Sequence, residues 1–250
     1  MSIQQRAVLI VGGGRGIGAA AARLLARQGA AVSVSYLSNA ATAEALAESI
    51  RAQGGRIDIF KSDAQDSEQV RELVKRVYES NGRLDAIVHS APSQGAIRPI
   101  STLSFEEFIG PIESRLKAAY EITRAAIPLM QERHSGRLVF ITSGWAKNPS
   151  MAGLCALSSA FGAEVSFVKA LARELGPSGI TVNAVAPGLV ETELSARMPE
   201  SVRQSVVAST PLGRIAAPDD IAGVIAFLAG EESGFMTGTY VPVSGGAAME

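Results

Sequence analysis

Apolar positions along the chain switch repeatedly between unbroken runs and helical spacing. Ala7-Val8-Leu9-Ile10-Val11 reads as a buried strand, and the alanine-rich stretch Ala19–Gln28 that follows reads as a helix. Ala31–Tyr36 is a β-branched strand, Ala41–Gln53 a helix stopped by Gly54-Gly55, and Arg56–Lys61 a further strand. In Ser67–Asn81 the residues Val70, Leu73, Val74 and Val77 recur at helical spacing before Gly82. Leu84–His89 predicts a short buried strand, and Ser104–Arg133 a helix broken at Gly110-Pro111. Leu138–Thr142 (strand), Gly153–Leu175 (long helix), Ile180–Ala186 (strand), Pro218–Ala229 (helix) and Thr239–Val243 (strand) complete the series. Such alternation predicts an α/β fold: a Rossmann-like, doubly wound, mostly parallel sheet with helices on both faces. No linker, repeat or low-complexity stretch divides it, so residues 1–250 are read as one domain.

Between the first strand and the first helix stands Gly12-Gly13-Gly14-Arg15-Gly16-Ile17-Gly18. Glycines let the backbone turn tightly beside a ligand, and the helix N-terminus offers free N–H groups to a pyrophosphate. Composition adds exclusions. With 47% hydrophobic and 19% charged residues a large core is available, and a net charge of −1 gives no footprint for nucleic acid or an acidic membrane. No window approaches ~20 unbroken apolar residues. A single cysteine, Cys155, leaves no disulfide framework or multi-cysteine zinc site, and no metal is expected. A soluble cytoplasmic protein follows as the expectation.

The whole chain resembles the single-domain short-chain dehydrogenase/reductase family, most closely its acyl-carrier-protein ketoreductase and enoyl reductase members. Gly12, Gly16 and Gly18 match its glycine turn, with Val11 where threonine is usual. Asp63 falls at the aspartate that contacts adenine, and His89-Ser90-Ala91-Pro92 at an N-N-A-G segment of which only Ala91 is kept. Ala186-Pro187-Gly188 followed by Thr192 matches the loop that lies against nicotinamide. Leu171–Leu175, Ile180–Asn183 and Pro211–Arg214 look like further family segments. The resemblance implies a nicotinamide cofactor bound by Gly12, Arg15, Gly16, Ile17, Gly18, Tyr36, Asp63, Ala91, Pro187, Gly188 and Thr192. An NAD site normally ends its second strand with a carboxylate; here that place is Tyr36, and Arg15 offers a cation to a 2′-phosphate. NADP(H) is therefore expected.

Members of the family usually carry asparagine, serine, tyrosine and lysine at the reacting centre. Register set on Lys169–Glu174 puts Arg115 at the asparagine, Leu157 at the tyrosine and Phe161 at the lysine, so only Ser143 keeps its role. The tyrosines are Tyr36, Tyr78, Tyr120 and Tyr240, so no shift of register restores one. A positioned general acid is worth about 10²–10⁴ in rate. Without it, Ser143 is the remaining catalytic candidate. His89 is a possible proton donor, although a structural stand-in for asparagine is the favoured reading.

Trp145 is read evenly as a lid over an aromatic substrate or as packing, Lys147 as a surface residue, Tyr120 as core, and Cys155 as inert packing. Leu154, Leu157 and Phe161 share one helix face, which is either ordinary packing or the wall of an apolar pocket. The leading functional expectation is an atypical NADPH-dependent reductase of a carbonyl or conjugated enone. Its substrate would be an apolar or aromatic small molecule, or an acyl carrier thioester. The alternatives are a non-redox isomerase, dehydratase or cyclase, and a non-catalytic subunit or dinucleotide sensor. Assembly into a homodimer or homotetramer is expected from the apolar surface of the long helix.

Overall fold

The computed structural model describes residues 3–92, 94–193 and 195–249. Seven strands form one parallel sheet: β1 (Ala7–Val11), β2 (Ala31–Tyr36), β3 (Arg56–Lys61), β4 (Ala86–His89), β5 (Gly136–Ile141), β6 (Ile180–Pro187) and β7 (Tyr240–Val243). Their order in space is β3-β2-β1-β4-β5-β6-β7. The order reverses between β1 and β4, and the carboxyl ends of strands at such a reversal open a crevice for ligands.

Alternation along each strand divides the core in two. Val8, Ile10, Val88 and Val139 face α1 (Gly16–Arg27), α2 (Ala40–Ala52) and α7 (Pro218–Ala229). Leu9, Val11, Ile87, Leu138 and Phe140 face α3 (Ser67–Asn81), α4 (Phe105–Glu132) and α5 (Cys155–Leu175). A buried helical run, Cys155–Ser178, is long and apolar enough to cross a membrane by length and composition, but half of it lies inside the protein.

Three expectations are corrected. Helix α4 runs unbroken through Gly110-Pro111 and through Pro128. A side chain before proline is normally forced out of the helical region by its own Cβ; Gly110 has none, and nothing lies within 4 Å of where one would be. Tyr120 is 47% exposed instead of core, with the Arg124 guanidinium 5.9 Å from its ring. The inward stripe of α4 is Arg115, Ala118, Ala119, Ile122, Ala126 and Met130, and position 120 lies off that stripe. Cys155 is exposed at the start of α5, not packed. The structure also adds α6 (Glu200–Ser209), a helix without buried residues, so it lacks the apolar stripe that would reveal it.

Helix α4 begins with a reciprocal cap. Ser104 Oγ accepts from the Glu107 N–H at 3.2 Å, and the Ser104 N–H donates to Glu107 Oε2 at 2.9 Å. Ser104→Ala is expected to cost about 1 kcal/mol, read as a lower urea midpoint with unchanged slope.

Candidate active site

The glycine turn lies at the β1/β4 reversal, pressed against the segment after β4. A Cβ on Gly12, whose φ is +76°, would come within 2.8 Å of the Ala91 Cα. One on Gly18 would meet the Gly13 Cα at 2.7 Å. Only glycine allows this packing. Among the described residues, helix α1 then starts with no side-chain cap and no acidic residue in its first turn. Its N-terminal N–H groups and positive dipole end are thus left to an anion.

Of the residues singled out from sequence, Tyr36, Ala91 and Thr192 pack against this turn, and the others take their places at the carboxyl ends of neighbouring strands. The Cβ of Tyr36 would lie 3.9 Å from a Cβ on Gly14. Asp63 folds a tight turn after β3, its Oδ1 accepting from the Gln65 N–H at 2.9 Å. Thr192 Cγ2 would lie 3.3 Å from a Cβ on Gly16, and Pro187 O 3.5 Å from one on Gly144. Gly188 donates its N–H to Val243 O at 3.1 Å, which fixes the loop at the end of β6. Ile17 is half-buried against the core on the α1 side. Arg15 projects outward, 3.4 Å from Glu193 Oε2, with both side chains more than half exposed. So weak and screened a pair yields readily to a competing anion.

Ser143 follows β5 and is half-buried. Its Oγ accepts from the Trp145 N–H at 3.2 Å, which leaves the hydroxyl proton to donate. Its carbonyl accepts from the Tyr240 hydroxyl at 3.1 Å. Trp145 is held by two further contacts, Nε1–H to Ser150 Oγ at 3.1 Å and the Ser158 hydroxyl on its carbonyl. Lys147 is exposed, with Nζ 4.4 Å from the Tyr240 ring centroid.

Leu157 is 6% exposed, and the segment following β4 closes over it. A Cβ on Gly95 would meet Pro111 Cγ at 2.8 Å and Leu157 Cδ2 at 3.0 Å. That segment is tied down by the Arg98 N–H, which donates to Gly153 O at 3.2 Å, and by the ion pair of Arg98 with Glu107. The position is therefore filled by apolar packing. One helical turn on, the Phe161 ring lies under the Arg115 guanidinium, 4.6 Å from centroid to carbon.

Beneath these residues lies a cluster that the sequence did not reveal. Glu164 is fully buried, and its Oε2 accepts from Arg115 Nε at 2.8 Å and Nη2 at 2.7 Å. Arg115 Nη2 also donates to the Ile141 carbonyl, at the end of β5. Glu164 Oε1 faces His89 Nδ1 at 3.3 Å, close enough for attraction though poorly aligned for a hydrogen bond. His89 is 1% exposed, and its Nε2 is buried without a hydrogen-bond partner among the described residues. Burial alone would raise the Glu164 carboxyl, but the charge of Arg115 and the nearby His89 outweigh it and hold it below the ordinary 4.5. Arg115 and Glu164 therefore form an ion pair whose charges offset each other. The available signal was Glu164 itself: it lies on the stripe Leu157, Phe161, Val168, Leu171, where a carboxylate requires a buried partner.

Strand order, crevice and glycine turn together define a doubly wound, Rossmann-like α/β protein. The family model described as Enoyl-(Acyl carrier protein) reductase matches residues 12–248, and the chain belongs to the short-chain dehydrogenase/reductase family. It is 31% identical to a 3-oxoacyl-acyl-carrier-protein reductase of Thermotoga maritima over 253 residues, covering 100% of both chains. It is 36% identical over 252 residues to a hydroxy(phenyl)methylsuccinyl-CoA dehydrogenase subunit of Thauera aromatica, covering 100% of this chain and 99% of the relative. The structure of a dehydrogenase/reductase from Sinorhizobium meliloti superposes with TM-score 0.90 at 32% identity, covering 99% of this chain and 98% of the other. Such relatives are oxidoreductases, two of them named for thioester substrates.

Proposed function

We propose that the protein is an NADPH-dependent reductase of a carbonyl or conjugated enone that stabilises its own developing oxyanion. The observation that carries this reading is the contrast between the two halves of the crevice. The glycine turn retains a cradle that any Cβ would fill and an uncapped helix end, whereas Leu157 is buried, Phe161 half-buried, and both are apolar. The cradle fits a nicotinamide dinucleotide, which would supply hydride when bound.

Gly12, Gly16, Ile17 and Gly18 would admit the pyrophosphate, with Tyr36 and Asp63 on the adenosine side. Ala91, Pro187, Gly188 and Thr192 would form the nicotinamide side. Arg15 would leave Glu193 for a 2′-phosphate, and no carboxylate at the end of β2 opposes it. Ser143 is positioned to donate one hydrogen bond to a substrate oxygen, a contact that strengthens as negative charge develops there. The missing proton then comes from water. An aryl ketone with an internal phenol hydrogen bond, or an enone giving a stable enolate, meets that requirement.

Calorimetry and a reduction panel test the proposal. The protein should bind NADPH in preference to NADH, and Arg15→Ala should weaken NADPH by about tenfold while leaving NADH unchanged. NADPH should be consumed with at least one aromatic ketone or enone. Equal affinity for both nucleotides would remove the NADP assignment, and an inert panel would remove the reductase.

A second reading is favoured by one observation, the closure of Gly95 over Leu157. A covered position there suits a non-catalytic subunit, and one relative is itself named as a subunit of a dehydrogenase. Copurification with a second chain carrying a tyrosine and lysine at these positions would decide for it. Under either reading, exposed Phe235, Leu212 and Tyr120 support assembly into a homodimer or homotetramer.

A further inference from the structure

The buried carboxylate of Glu164 links four elements at the floor of the crevice. It holds Arg115 of α4 through two N–H donors, and Arg115 in turn donates to Ile141 at the end of β5. It faces His89 at the end of β4, and Glu164 itself belongs to α5. The two strand ends so joined lead into Ala91 and Ser143, two of the residues assigned to the reacting side, while Pro187, Gly188 and Thr192 belong to β6 and the loop after it. Ser143 is two residues beyond Ile141, and Ser90-Ala91, directly after His89, packs against Gly12. The adenosine side is built otherwise. Arg15 follows β1, Tyr36 ends β2 and Asp63 follows β3, and among the described residues the contacts of Glu164 run to Arg115 and His89 and not to those strands.

We propose that Glu164 is a positioning residue for the nicotinamide half of the dinucleotide. It would act through His89 and Arg115 by setting the relative placement of the β4 and β5 ends, without touching the ligand. The inference rests on the nicotinamide reading above. Its physical basis is the cost of the alternative: an ionised pair inside the core is tolerated only in the geometry that satisfies it. Displacing the β5 end therefore breaks a charge-assisted bond to the Ile141 carbonyl, and displacing the β4 end moves His89 off the buried carboxylate, whereas an apolar contact in the same place would slide.

The test compares two probes on the intact chain by calorimetry: NADPH, and adenosine 2′,5′-bisphosphate, which contains only the adenosine half. Glu164→Gln should weaken NADPH on the order of tenfold and leave the bisphosphate unchanged. The double variant Arg115→Met with Glu164→Leu removes both charges and fills the same space, so it should fold even where the single variant does not. It should show the same selective loss. Unchanged NADPH affinity in a folded variant, or equal loss of both probes, would overturn the positioning role while leaving the cofactor reading intact. A wild-type protein that binds neither probe, or binds NADPH no more tightly than the bisphosphate, would overturn both.

Discussion

Replacing Glu164 with alanine is expected to lower stability by about 3–5 kcal/mol, because a guanidinium in the core loses its carboxylate. In a chain of this size the melting temperature should fall on the order of 10 °C. Arg115 is 4% exposed, and its contacts with the Ile141 carbonyl and the Phe161 face do not neutralise its charge once the carboxylate is gone. The pH dependence of the loss has a definite sign. The folded Glu164 carboxyl lies below its ordinary value of 4.5. Its ionised form therefore stabilises the fold fully above that value, and the contribution fades as pH falls through the folded value. The stability gap between wild type and Glu164→Gln should be constant near neutrality and narrow in acid. A gap that widened in acid would contradict the pairing.

Restoring the family's tyrosine and lysine at their own positions, Leu157→Tyr with Phe161→Lys, is expected to produce no gain in NADPH oxidation and a less stable protein. The larger phenol ring in place of Leu157 would press on the backbone at Gly95, where even an added Cβ would come within 3.0 Å of the leucine. The second substitution would put an ammonium where the Phe161 ring now lies under the Arg115 guanidinium, exchanging a cation–π contact for like-charge repulsion. The surroundings have become fitted to leucine and phenylalanine, so two side chains alone do not recreate the site. A rise in ketone reduction of more than about 100-fold, the range of a positioned general acid, would refute this. Melting curves of the double variant measure the structural half of the expectation.

Much of the fold was legible because it rests on local chemistry. The runs at Ala7–Val11 and Ala31–Tyr36, the glycine turn and the stops at Gly54 and Gly82 are each decided by a few neighbouring residues, and the structure places them as read. The position of Ser143, just beyond a buried strand, was legible too. Where the reading failed, the deciding contact was distant or missing. The course of α4 through Pro111 is eased by Gly110 having no side chain, and the outward turn of Tyr120 is set by which stripe of α4 meets the sheet. The Arg115–Glu164 pair joins residues 49 apart in sequence, and His89 joins them from a third element. Their meaning lies in being brought together.

Trp145, the sole tryptophan, is half-buried two residues beyond Ser143 and fastened at its indole N–H and at its carbonyl. All indole fluorescence of the protein thus originates at one fixed point beside the crevice. Reduced nicotinamide absorbs in the range where indole emits, so energy transfer from this single emitter would report occupancy optically, with no label attached.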